Sequence, residues 1–106
     1  MNKNKFFYLL FLGFVFLFNQ QTKSDSTFDM GKDIFLNKAV CSTCHTLNDA
    51  GSNGQIGPNL NEIRPDKLRI INAVTNGIGV MPANQSELTI EEIESVAHYV
   101  SIAANQ

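Results

Sequence analysis

The sequence predicts a small all-α domain, and two features lead there: apolar residues recur at three- and four-residue steps, and no tract alternates apolar with polar residues as a strand would. The length agrees. With 106 residues the chain has room for one compact unit and none for separate cofactor and substrate domains. Charged residues make up 17% and hydrophobic residues 43%, with 8 Lys+Arg against 10 Asp+Glu, which excludes a disordered tail and a basic nucleic-acid binder.

Residues 1–24 read as a signal peptide or an uncleaved N-terminal membrane anchor. Lys3 and Lys5 precede an apolar run from Phe6 to Phe18 that holds six of the eight Phe, and polar residues from Asn19 to Ser24 follow. This run of 13 residues is shorter than the ~20 a helix needs to cross a hydrocarbon core. No Ala-x-Ala pair follows Phe18 and no Cys stands there to carry a lipid, so cleavage between Asn19 and Ser26 and retention as a tether both stay open. The body is expected to be periplasmic or otherwise extracytoplasmic, soluble or membrane-anchored. From Lys23 onward its formal charge is −4.

Three helices are expected in that body. Ser26-Thr27-Phe28-Asp29 predicts a capped start, continued through Met30, Ile34 and Phe35 to Val40. Leu47 to Gln55, rich in Asn, Gly and Ser, predicts a surface loop. Pro65 suits an early helical position, and Leu68, Ile70, Ile71 and Val74 then form an apolar face that ends at Asn76-Gly77. Thr89-Ile90-Glu91-Glu92 is a capping box, and Ile93, Val96, Ala97, Val100, Ala103 and Ala104 give the last helix one apolar side.

The only two cysteines stand in Cys41-Ser42-Thr43-Cys44-His45, the C-x-x-C-H pattern of covalent c-type haem attachment. On a helix, positions three apart share a face, so both sulfurs reach one porphyrin and His45 turns its imidazole to the iron. Two other readings compete. A dithiol redox motif needs a βαβ surround, and a structural zinc site needs four ligands where Cys41, Cys44, His45 and His98 are the candidates.

Together with Gly57-Pro58-Asn59-Leu60, and Asn76-Gly77 before Met81-Pro82, the motif resembles the class I c-type cytochromes over about residues 26–104. The small monohaem carriers of bacteria and algae look most similar. The resemblance implies a cytochrome c fold, three to four helices wrapped around one covalently bound haem c. It implies Cys41 and Cys44 as attachment points, His45 and Met81 as axial iron ligands, Pro58 as hydrogen-bond acceptor for the His45 ring, and Leu60 against the porphyrin. Gly31, Phe35 and Tyr99 are implied at the crossing of the first and last helices. His98 is the rival to Met81. Asn84-Gln85-Ser86 departs from the family, in which an aromatic residue often follows the Met loop.

The expected function is electron transfer without catalysis: one electron passes between a donor and an acceptor such as a membrane oxidase, a cytochrome complex or a periplasmic dehydrogenase. Neither nucleic acid nor a substrate is expected. The alternatives are a peroxidase-like haem enzyme or gas sensor whose sixth position opens, and a fixed relay subunit of an oxidase or dehydrogenase complex.

Overall fold

The structure, a computed structural model, describes residues 22–106. The leader reading falls outside the described residues except for Thr22–Ser24, which belong to the first helix. That helix, α1 (Thr22–Asp33), is already formed before Ser26, where its cap was expected. No Gly or Pro interrupts Thr22–Ser26, so nothing in the backbone forces a start there. Beyond Asp33 the helix widens into one π turn, Ile34–Lys38, closed by the Ala39 N–H on the Ile34 carbonyl at 2.8 Å. This turn buries Ile34 and Phe35.

The segment expected to be a surface loop is partly core. Two short strands, β1 (Thr46–Leu47) and β2 (Ser52–Asn53), pair antiparallel with Leu47 opposite Ser52, and both of those side chains are buried. Two-residue strands are too short to show an alternating pattern, so periodicity could not reveal them. Next comes α2 (Leu60–Ile63), whose N-cap Asn59 accepts hydrogen bonds from the Asn61 and Glu62 amides. In α3 (Lys67–Asn76) the cap is Asp66, accepting from the Arg69 amide, and Pro65 lies buried just outside the helix. Ile70 and Val74 face the core, whereas Leu68 is 67% exposed and leaves the expected apolar face. Gly77, at φ 75°, ends the helix where Asn76-Gly77 indicated.

The last helix, α4 (Ile90–Ala103), carries the capping box in full: Thr89 Oγ1 accepts from the Glu92 amide, and the Glu92 carboxylate accepts from the Thr89 amide. Its apolar side buries Ile93, Val96, Ala97, Val100 and Ala103. Where α1 meets α4, a Cβ on Gly31 would lie 2.1 Å from the Ser95 carbonyl oxygen and 2.5 Å from Tyr99 Cβ, so the crossing depends on a residue without a side chain. The Tyr99 ring fills the space beside it, edge-on to Phe28 at 4.8 Å and to Phe35 at 5.8 Å. Among the described residues no helix is long and apolar enough to cross a membrane.

Tyr99 also joins three elements. Its hydroxyl donates to Asp49 Oδ2 at 2.8 Å, and Lys32 Nζ on α1 reaches the same oxygen at 3.3 Å. Burial, then the hydrogen bond to Asp49 and its charge, push the phenol well above its ordinary range. A raised folded-state pKa adds stability that is complete below the unfolded value of about 10 and lost as pH climbs through the folded value. Denaturant melts across the alkaline range are expected to show this decline in the wild type and a shallower one in Tyr99→Phe. Identical pH profiles would contradict the assignment.

Candidate functional site

Val40 precedes the cysteine motif in the left-handed region, φ 48°, an uncommon conformation for a β-branched residue. It turns the chain out of the π turn into a single 3₁₀ turn, Cys41–Thr43. The motif therefore rides on this tight turn rather than on an α-helix, with the Cys44 and His45 amides both bonded to the Cys41 carbonyl, at 3.1 and 3.0 Å. Both cysteines are half-buried and no disulfide joins them. The Cys41 thiol is pushed up to about 11, chiefly by burial and further by Cys44, against the opposing effect of a backbone hydrogen bond. A dithiol redox centre works through a low-pKa thiolate, so Cys41 has the opposite character. The zinc reading also lacks its ligands: among the described residues no group of three or more His, Cys, Asp or Glu is placed to hold a metal ion. His98 stands half-buried on α4, outside any such group.

His45 is held from several directions. Its Nδ1 lies 2.8 Å from the Pro58 carbonyl, as the resemblance implied. A carbonyl only accepts, so the ring proton sits on Nδ1 and the Nε2 lone pair is left for a metal. Gly57 is what lets the chain pass so near the ring: a Cβ there would come within 2.5 Å of Cε1 and 2.8 Å of Nδ1. The Gly57 amide also bonds to the Cys44 carbonyl at 2.7 Å, tying the Gly-Pro segment to the cysteine turn. Gly54 approaches the same turn, where a Cβ would meet the Cys44 carbonyl carbon at 2.5 Å.

Leu60 is buried at the start of α2 and joins the main core. Asn61 fastens this region, accepting from the Asn48 amide at 2.7 Å and donating to the Ala104 carbonyl at 3.4 Å. Met81 is partly buried and packed against the core. Its loop closes through paired bonds with Ile78, Met81 N–H to Ile78 O at 2.9 Å and the reverse at 3.1 Å, around the exposed Gly79-Val80 tip. The departure from the family at Asn84 has a structural answer: the Asn84 amide donates to the Val74 carbonyl at the end of α3, 2.8 Å, and its side-chain amide donates to the Pro82 carbonyl, 3.2 Å. These bonds tie the Met loop to α3 without an aromatic residue.

The family model described as cytochrome c oxidase, cbb3-type, subunit III matches residues 27–100. The chain belongs to this cytochrome c family. Among solved structures, the c-type cytochrome SorU from Sinorhizobium meliloti is 51% identical, with a TM-score of 0.74 over 77% of this chain and 95% of SorU. No curated protein matches the chain. Family and neighbour place this cytochrome among electron-transfer haem proteins with covalently bound haem c and the cytochrome c fold. The residues present fit that group: two half-buried thiols three positions apart, an imidazole whose Nε2 lone pair is free, and a partly buried thioether on a separate, tied-back loop.

Spacing alone located Cys41, Cys44 and His45, and the resemblance added Pro58, Leu60 and Met81. Ser52 and the close approach of Gly57 to the His45 ring were missed. A Gly directly before Pro58 was the available signal for the second, while Ser52 looked like any other loop serine.

Proposed function

We propose that this cytochrome is a single-haem electron carrier in which His45 and Met81 take the two axial positions and one electron moves between redox proteins outside the cytoplasmic membrane. The observation that carries this reading is the 2.8 Å contact of His45 Nδ1 with the Pro58 carbonyl, which leaves the opposite ring nitrogen for the iron on the residue directly after the second attachment cysteine. When bound, the haem supplies a one-electron ferric/ferrous couple. Cys41 and Cys44 anchor it, and His45 offers Nε2 with Pro58 fixing the tautomer and orientation. Met81 offers a soft, neutral sulfur that favours the ferrous state and raises the reduction potential. With His45 and Met81 both holding the iron, no open position would be left for a substrate. Donor and acceptor, such as a membrane oxidase, a cytochrome complex or a periplasmic dehydrogenase, meet it through a small, short-lived interface.

Absorption spectra and redox titration of Met81→Ala test the ligand set. The variant is expected to have a lower potential and, once reduced, to bind carbon monoxide promptly, whereas the reduced wild type resists it. A variant with the wild-type spectrum and potential would contradict Met81 as ligand. Prompt, complete carbon monoxide binding by the wild type would favour an enzyme or gas sensor. The family description supports a second reading, a fixed relay subunit of an oxidase. Retention of the chain in purified membranes together with copurifying partners would favour it over a free shuttle.

A further inference from the structure

Ser52 is one of the few buried polar residues among those described, only 7% exposed. It faces Leu47 across the β1–β2 ladder, and its Oγ lies 2.9 Å from the His45 carbonyl, 3.1 Å from the Leu47 amide and 3.4 Å from the Leu47 carbonyl. A hydroxyl has one proton, and the shorter distance directs it to His45 while the oxygen accepts from Leu47. His45 is then fastened three times: its amide by the Cys41 carbonyl, its ring by the Pro58 carbonyl, and its own carbonyl by Ser52. Only the third fastening comes from a side chain, so it alone can be deleted by substitution without altering the backbone that forms the other two.

We propose that Ser52 is a positioning residue for His45: its hydroxyl fixes the peptide plane next to the imidazole and thereby the orientation in which the ring meets the iron. This rests on His45 being an axial ligand. A Ser without this task would be expected at the surface of an Asn-, Gly- and Ser-rich turn; here the register of two very short strands puts it inside, against the residue that carries the ligand.

The test is proton NMR of the oxidised holoprotein, in which the haem-methyl shifts follow the plane of the axial imidazole. Ser52→Ala is expected to change the spread of those shifts and to speed exchange of the Leu47 amide about tenfold, the loss of one hydrogen bond. Ser52→Thr, which keeps the hydroxyl, is expected to retain the wild-type pattern. So is Ser95→Ala, which removes another buried serine's hydroxyl bond, to the Glu91 carbonyl on α4, so general destabilisation does not mimic the effect. A wild-type pattern in the Ala variant would overturn the proposal while leaving His45 as ligand. Should the Ala variant not fold, the wild type decides: a slowly exchanging Leu47 amide supports the bond to Ser52, and exchange at the rate of an unprotected amide overturns it. Wild-type spectra without paramagnetically shifted His45 resonances would remove the ligand reading, and this inference with it.

Discussion

Gly57→Ala is expected to dislodge the His45 ring. The added methyl would sit 2.5 Å from Cε1 and 2.8 Å from Nδ1, closer than carbon tolerates against a ring atom, and a tight 3.0 Å from Nε2. The ring cannot swing aside and still keep its 2.8 Å contact with the Pro58 carbonyl, while the backbone at Gly57 is itself tied to Cys44. Either the Pro58 bond breaks or the Gly-Pro segment moves off the cysteine turn, and both degrade the orientation and basicity of the imidazole. The holoprotein yield should fall several-fold and the remaining product should have a shifted potential and altered haem-methyl resonances. A variant with wild-type yield, potential and spectrum would show that the ring does not lie where the structure places it.

Gly31→Ala tests the fold in the same way. Its Cβ would come within 2.1 Å of a backbone oxygen on α4, an atom that cannot rotate away, so α1 and α4 have to separate. Overpacking of this kind costs about 3 kcal/mol, which for a domain of this size lowers Tm by on the order of 10–20 °C. Thermal melts followed at the haem band and in the far ultraviolet should show the loss. A change of only a degree or two would mean that the crossing has slack that the structure does not contain.

Particular residues show why some of this was legible in the chain and some was not. The capping box at Thr89 and Glu92 was read correctly because both bonds are local and their partners are three residues apart. The Gly77 stop is equally local. The start of α1 was misplaced because Ser26 is a competent cap only if the chain before it leaves the helix, and nothing between Thr22 and Ser26 makes it do so. Leu68 was assigned to the core because helical spacing limits which residues share a face, whereas the tertiary partner decides which of them is covered; of that expected face Ile70 and Val74 are buried and Leu68 is not. Within the site, Cys41, Cys44 and His45 are adjacent in sequence and needed no fold to be found. Ser52 and Gly57 act on His45 across the chain, and only the closed hairpin and the returning Gly-Pro segment bring them to it.

The covalent attachment of haem to Cys41 and Cys44 is tested most directly by the intact mass of the denatured protein made in cells competent for c-type cytochrome maturation. The expected mass is that of the polypeptide plus one haem, with neither cysteine open to alkylation and the addition abolished when both are replaced by Ala. A colourless protein of unmodified mass with two alkylatable thiols would contradict it.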